Sequence, residues 1–274
     1  WLNPNESPFA NPYVVDSGNF NRYPSCQPDS VINGYADYAG IDKSQLIVTR
    51  GADEGIELLI RTFCTPGEDN ILICPPTYGM YAISAETCDV GIKRVPLNDD
   101  FSLDVDGICA TENVNLVFIC APNNPTGTQV SKADLTAVLE HFADTALVVV
   151  DEAYIEFDIK STWATQLAAY PNLVVLRTLS KAFALAGLRC GFTIASEAII
   201  QSLLKVIAPY PIPEPVAQIV AQALTAGNIE RMQQQVAFLN EQRTRLQAEL
   251  ATRPGVELVG DVKANYILFR HSHC

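Results

Sequence analysis

The chain has 274 residues, 48% of them hydrophobic and 18% charged, and 18 Lys and Arg stand against 31 Asp and Glu for a formal net charge of −13. That length holds one large domain or two unequal ones. The apolar content argues against intrinsic disorder, and the acidic balance argues against nucleic acid or an anionic membrane surface as a partner. A small anionic ligand stays open, because a pocket is built from local donors and not from net charge.

The chain begins at Trp1, without an initiator Met. Short continuous apolar runs at 46–49, 71–74, 116–120, 147–150, 173–176 and 190–194 predict strands covered on both faces. Helical patterns lie between them. Ile56, Leu59, Ile60 and Phe63 share one face, as do Leu135, Val138, Leu139 and Phe142 behind a capping signal of Ser131 and Asp134. Strands alternating with helices predict an α/β domain with a mainly parallel sheet. After Ile194 helices dominate, at 196–207 and 214–224, separated by Pro209-Tyr210-Pro211-Ile212-Pro213. A longer helix carries Ile229, Met232, Val236, Leu239, Leu246 and Leu250 on one stripe until Pro254-Gly255 stops it. Strand-like runs at 256–259 and 266–269 follow, so a smaller second domain is expected to begin at the long helix.

Cysteines 26, 64, 74, 88, 109, 120, 190 and 274 form no C-x-x-C pair, and several sit inside apolar runs. Those in the apolar runs read as small buried hydrophobes, and the set as reduced thiols of a cytoplasmic protein. No apolar run approaches the roughly 18 residues of a membrane-spanning helix, and no signal-peptide pattern opens the chain.

Ligands of open α/β sheets bind at the carboxyl ends of the strands. Three consecutive runs end in polar clusters: Ala121-Pro122-Asn123-Asn124-Pro125-Thr126-Gly127, Asp151-Glu152-Ala153-Tyr154, and Arg177-Thr178-Leu179-Ser180-Lys181. In a parallel sheet these ends converge, delivering amide, carboxylate, phenol, hydroxyl and amine to one crevice. The set suits a cofactor that needs a covalent amine, a partner for a ring nitrogen and hydroxyl donors, as pyridoxal phosphate does. Each residue also has a plainer reading. Lys181 is either a surface charge or an amine desolvated by the small and apolar side chains around it. Asp151 is either a ring-nitrogen partner or the cap of the next turn, and Asn124 is otherwise a turn former before Pro125. Gly51-Ala52-Asp53-Glu54-Gly55 opens a helix whose free N–H groups suit a phosphate or, equally, an ordinary glycine turn. Tyr78 either stacks on a flat ring or covers the sheet edge.

Taken together the motifs carry a resemblance. Ser180-Lys181-x-Phe183 with Gly187-x-Arg189-x-Gly191 resembles the cofactor-lysine signature of the fold-type I, class II pyridoxal-phosphate-dependent aminotransferases. The Pro122–Gly127 and Asp151–Tyr154 clusters are that family's other marks, in its order. Leu2-Asn3-Pro4-Asn5-Glu6-Ser7-Pro8, Arg22-Tyr23-Pro24, Arg50-Gly51-Ala52-Asp53-Glu54, Pro76-Thr77-Tyr78-Gly79-Met80-Tyr81 and Ala208-Pro209-Tyr210-Pro211 resemble its histidinol-phosphate branch.

The resemblance covers nearly the whole chain and implies roles. Lys181 would carry pyridoxal 5′-phosphate covalently and, once released, act as general base and acid. Asp151 would keep the pyridine nitrogen protonated. Tyr154 and Asn124 would hydrogen-bond the 3′-oxygen, and Tyr78 would stack on the ring. Ala52 and Asp53 backbone groups with Thr178, Ser180 and Arg189 would hold the phosphate. Tyr23 would reach the cofactor of a partner subunit, implying a homodimer, and the Leu2–Pro8 segment would lie over the substrate. The implied reaction passes the amino group of L-histidinol phosphate to 2-oxoglutarate, giving 3-(imidazol-4-yl)-2-oxopropyl phosphate and L-glutamate, a step of histidine biosynthesis. The implied division is a substrate-covering and dimer segment at 1–24, a large cofactor domain at 25–227 with a mainly parallel sheet covered by helices, and at 228–274 a long helix and the start of an incomplete small α/β domain.

One departure from the family pattern stands out. The arginines that clamp the substrate phosphate would come after Arg270, where this sequence has none, so the chain reads as an interior fragment. Other fold-type I enzymes, an aromatic aminotransferase or an amino-acid-phosphate decarboxylase, share the cofactor motifs, and so would a non-catalytic cofactor-binding regulator. His271-Ser272-His273 could suggest a metal, but two histidines without further ligands read as a disordered tail.

Overall fold

A computed structural model of the protein describes residues 4–272. The strands are β1 (Leu46–Thr49), β2 (Asn70–Ile73), β3 (Gly91–Arg94), β4 (Leu116–Cys120), β5 (Leu147–Asp151), β6 (Leu173–Thr178) and β7 (Gly191–Ala195). They form one sheet in the order β1-β7-β6-β5-β4-β2-β3. From β3 through β6 neighbouring strands are parallel, whereas β7 runs antiparallel to both β1 and β6. Six of the strands coincide, within one or two residues at their ends, with the six apolar runs of the sequence. β3 was not expected: its Gly-Ile-Lys-Arg sits at the sheet edge, largely exposed, and so gives no apolar run.

Because successive side chains of a strand point to opposite faces, an all-apolar strand feeds two cores. Val48, Val117, Ile119, Val148, Val150, Val175 and Phe192 enter one apolar cluster. Their neighbours Ile47, Leu116, Phe118, Val149, Val174 and Leu176 enter the other. The first is covered by α1 (Asp29–Ala39), α5 (Lys132–His141), α7 (Glu214–Ala223) and α8 (Ala226–Leu250), with the short α4 (Val105–Cys109) contributing Ile108. The second is covered by α2 (Gly51–Phe63), α3 (Met80–Thr87) and α6 (Glu197–Leu203). The Ser131 hydroxyl caps α5 by accepting from Asp134 N at 3.1 Å. Only the first half of the α8 stripe is buried, at Met232 and Val236, while Leu246 is 44% exposed.

Two extended segments cross the carboxyl end of the sheet. The first, residues 4–16, lies along α7 and α8. Val14 exchanges two hydrogen bonds with the Gln222 side chain, at 3.1 and 2.7 Å, and Asp16 does the same with Gln218, at 2.8 and 3.0 Å. Asn11 and Gln235 pair through their side-chain amides. The second, residues 259–266, packs on the loop after β4: Lys263 N donates to Gly127 O at 2.7 Å and Tyr266 Oη to Asn123 O at 2.6 Å.

The end of the chain departs from its sequence reading. β8 (Val256–Leu258) pairs antiparallel with β9 (Phe269–His271), so the second strand begins at Phe269 and not at 266. Tyr266 is instead drawn onto the β4 loop by its phenol. His271 is paired in β9 opposite Val256, not part of a disordered tail, and Ser272 N bonds Gly255 O at 2.9 Å. His273 lies outside the described residues, as do Trp1, Leu2 and Asn3 of the substrate-covering segment.

Candidate active site

The sheet register sets the site. Cys120 at the end of β4 is level with Asp151 at the end of β5, and Asp151 is level with Leu176 of β6. The loops that leave these strands open onto a cavity of about 500 Å³. Ten of the eleven residues singled out in the sequence line it: Ala52 and Asp53 from α2, Tyr78 from the loop before α3, Asn124, Asp151, Tyr154, Thr178, Ser180, Lys181 and Arg189. Tyr23 does not. Its ring is 82% exposed and stacks on Tyr210 with centroids 4.5 Å apart.

Lys181 and Arg189 share the loop between the antiparallel strands β6 and β7. Burial holds the Lys181 amine below its ordinary pKa, against the opposing pull of Asp53, Asp151 and Glu6. Nζ donates to Pro4 O at 2.8 Å and lies 5.4 Å from the centre of the Tyr154 ring. A depressed pKa leaves a larger share of the amine neutral, the form that attacks carbon.

Asp151 is 2% exposed. Burial raises its carboxyl to about 6, although Oδ2 accepts from Tyr81 Oη at 2.7 Å and Oδ1 from Ala153 N at 3.0 Å. A carboxylate held this far from water calls for a cationic partner. Tyr154 is also buried, and desolvation raises its phenol pKa; Asn5 Nδ2 reaches its oxygen at 3.1 Å and Asn124 Nδ2 at 3.4 Å.

At the other end of the cavity the groups suit an anion. No side chain caps α2, whose first turn contains Gly51, Ala52 and Asp53, so the dipole and N–H groups of that turn face the cavity. Thr178 Oγ1 donates to Ser180 Oγ at 2.9 Å, and Arg189 Nη1 reaches the same oxygen at 3.4 Å. Arg189 also pairs with Asp53 at 3.0 Å, and Tyr78 Oη donates to the other oxygen of Asp53 at 2.9 Å. Two glycines permit this packing. A Cβ on Gly191 would lie 2.5 Å from Gly51 C and 2.6 Å from Ala52 N, and Gly51 itself has φ +80°.

The donor set fits pyridoxal phosphate from end to end. A helix start, two hydroxyls and a guanidinium suit its phosphate; an amine suits its aldehyde carbon; a phenol with an amide suits its 3′-oxygen; and a buried carboxylate suits its ring nitrogen. Among the described residues no group of three or more His, Cys, Asp or Glu side chains is placed to hold a metal ion, and no helix is long and apolar enough to cross a membrane.

Sequence reasoning missed three partners. Tyr81, two residues after Gly79 in a motif read only for Tyr78, is fully buried and holds Asp151. Asn5 was read as part of a covering segment, without contact to Tyr154. Arg177 stood among the strand-end polar residues, yet its side chain points away from the cavity. It is 2% exposed and bonds Glu152 at 2.7 Å, Glu156 at 3.4 Å and Thr162 at 2.8 Å. Alternation along β6 would have separated it from Thr178, because adjacent residues face opposite sides.

The model of the aminotransferase class I and II family matches residues 6–273. A histidinol-phosphate aminotransferase of Pseudoalteromonas atlantica is 67% identical over 98% of this chain and 73% of its own length. The solved histidinol-phosphate aminotransferase from Clostridium acetobutylicum is 25% identical with a TM-score of 0.85, covering 93% of this chain and 76% of that one. The enzyme from Sinorhizobium meliloti, solved in complex with pyridoxal-5′-phosphate, shares the fold at a TM-score of 0.84 and 21% identity, covering 92% of this chain and 68% of that one.

Proposed function

The chain belongs to the aminotransferase class I and II family, and from that premise we propose that it transfers the amino group of L-histidinol phosphate to 2-oxoglutarate, using pyridoxal phosphate. The products are 3-(imidazol-4-yl)-2-oxopropyl phosphate and L-glutamate, a step of histidine biosynthesis. The observation that carries this reading is the single cavity joining Lys181, Asp151, Tyr154 and the phosphate-suited end of α2.

Pyridoxal phosphate, when bound, supplies an electrophilic carbon for the amine and an electron sink for the pair left by the broken C–H bond. The chain's residues do the rest. Lys181 Nζ would hold the cofactor covalently and, once freed by the substrate amine, would serve as the base that takes the proton from the substrate α-carbon and the acid that delivers it across the nitrogen. Asp151, whose carboxyl burial raises to about 6 in the protein alone, would keep a proton on the ring nitrogen, and that cation would favour its ionised form. Tyr154 and Asn124 would orient the 3′-oxygen, and Tyr78 would stack on the ring. Ala52, Asp53, Thr178, Ser180 and Arg189 fix the phosphate. Residues 1–24 would cover the substrate and join the dimer, 25–227 would form the cofactor domain, and 228–274 would form the long helix and the start of a small domain.

The exposed Tyr23–Tyr210 pair supports a homodimer in which Tyr23 serves the partner's site. Light scattering of the purified protein should give twice the monomer mass, and Tyr23→Ala should weaken cofactor binding in the dimer. The cysteines among the described residues are unpaired, which supports a cytoplasmic location.

An absorbance titration tests the function. Protein mixed with pyridoxal phosphate should gain a visible band that Lys181→Ala abolishes, and L-histidinol phosphate should shift that band. A wild-type band that shifts with phenylalanine but not with histidinol phosphate overturns the substrate, and absence of a band overturns the reaction.

A further inference from the structure

The phenol oxygen of Tyr154 receives two amides that arrive from opposite ends of the fold. Asn124 Nδ2 comes from the loop after β4, at 3.4 Å. Asn5 Nδ2 comes from the N-terminal segment, 149 residues away in sequence, at 3.1 Å. Asn5 is held in turn, since its carbonyl accepts from Asn265 Nδ2 at 3.0 Å. Its neighbour Pro4 accepts from the Lys181 amine at 2.8 Å. One short piece of chain therefore touches both the phenol and the amine.

A phenol oxygen has two acceptor sites and one proton. With both sites filled by amides, the proton is left to donate into the cavity that Tyr154 lines, and each incoming bond strengthens that donation. We propose that Asn5 is a positioning residue for Tyr154: through it, seating of residues 4–8 makes the phenol a stronger donor to the cofactor's 3′-oxygen, beyond covering the substrate. The proposal rests on the pyridoxal-phosphate reading above.

The sign of the effect follows from the charges present. A stronger donor holds negative charge on the 3′-oxygen and weakens that oxygen's hold on the proton it shares with the nitrogen linked to Lys181, so an intact Asn5 lowers the pH at which that proton leaves. The ionisable groups around Tyr154 are Cys120 of β4, Asp151 of β5, Tyr78 of the loop before α3 and Lys181, 5.4 Å from the ring centre, with Tyr266 edge-on at 5.2 Å. Those acting on Lys181 are Asp53 of α2, Asp151, Glu6 and Arg189. Only Glu6 among them travels with Asn5, and its removal lowers the proton affinity near Lys181. Loss of Glu6 and loss of Asn5 therefore act in opposite directions.

The test is a pH titration of the visible absorbance of the cofactor-loaded protein, run without substrate. Asn5→Ala should raise the midpoint by about half a pH unit or more, the shift expected for one hydrogen bond. Glu6→Gln should lower the midpoint. Asn5→Gln, which keeps an amide donor, should recover part of the shift. Asn265→Ala, which loosens Asn5 from outside the cavity, should give a smaller rise and keeps the test open if Asn5→Ala loads cofactor poorly. Unchanged midpoints in both Asn5→Ala and Asn265→Ala overturn the proposal while leaving the function standing, above all if KM for the substrate rises. A wild-type protein with no visible band overturns both.

Discussion

The Tyr81 hydroxyl donates to Asp151 Oδ2 at 2.7 Å, and the Tyr81 ring stands edge-on to Tyr78 with centroids 5.6 Å apart. One buried phenol thus connects the carboxylate proposed for the ring nitrogen with the aromatic proposed for the ring face. Burial raises the Asp151 carboxyl from its ordinary value of about 4 to about 6. Without cofactor, the folded chain keeps a proton that the unfolded chain releases from about pH 4 upward. The residue's contribution to stability therefore falls between about pH 4 and 6 and stays low above. Cofactor-free Asp151→Asn should be the more stable protein above pH 6, by up to about 3 kcal/mol, with the difference vanishing toward pH 4. Denaturant unfolding at several pH values checks this, and a constant difference across the range would count against it. Tyr81→Phe removes a bond that lowers the carboxyl's pKa, so it should extend the loss of stability to higher pH.

Arg177 is the cation of a buried cluster with Glu152 and Glu156. Burial raises Glu156 to about 7 even with the guanidinium opposing it. Arg177→Met leaves two buried carboxyls facing each other and should cost about 3–5 kcal/mol. Urea midpoints measure this. The companion Glu152→Gln/Glu156→Gln/Arg177→Met should recover most of the loss, because the unpaired charge goes with the guanidinium.

Gly191 occupies the point where β7 passes under the first turn of α2. A Cβ there would meet backbone atoms of Gly51, Ala52 and Arg177 within 2.8 Å, and backbone cannot swing aside as a side-chain tip can. Gly191→Ala should lower the thermal midpoint by several degrees, as expected for about 1–3 kcal/mol of overpacking. It should also weaken cofactor retention, because the helix start is what it displaces. Thermal scans with and without pyridoxal phosphate separate the two effects.

Arg189 presents the opposite case. Its bridge to Asp53 is about half exposed, and such pairs contribute about 0–1 kcal/mol to folding. Arg189→Gln should leave the unfolding midpoint of the cofactor-free protein nearly unchanged. The dissociation constant for pyridoxal phosphate should rise about 10-fold or more, for loss of a charge-assisted bond to phosphate. Fluorescence titration reads the constant directly.

These outcomes bear on how far the sequence alone could lead. The central strands were legible because parallel strands buried on both faces carry nothing but apolar residues, as in Leu147-Val148-Val149-Val150. The cavity residues were legible because polar side chains interrupt those runs where the strands stop. The edge strand β3 was not, since Lys93 and Arg94 answer to solvent and not to a core. α3 was missed because its apolar residues have little helical periodicity. The Asn5–Tyr154 and Tyr81–Asp151 bonds span 149 and 70 residues, and nothing local in either partner reports the other. The 266–269 run misled because Tyr266 is apolar by composition, yet its position is decided by its hydroxyl.

The glutamine contacts to Val14 and Asp16 have a consequence of their own. A carboxamide offers one donor and one acceptor, as a peptide group does, so Gln218 and Gln222 dock the extended chain as a neighbouring strand would. Four residues of helix rise about 6 Å and two residues of strand advance about 6.7 Å, so the two repeats stay in step for a pair of rungs and then drift apart. Beyond them the match is made by Gln235 of α8 to the side chain of Asn11. At the two rungs the grip falls on main chain alone. The Val14 side chain can therefore be exchanged without loosening it, that of Asp16 also accepting from Gly18 N at 2.9 Å, whereas shortening Gln218 or Gln222 by a single methylene takes away the reach on which it depends.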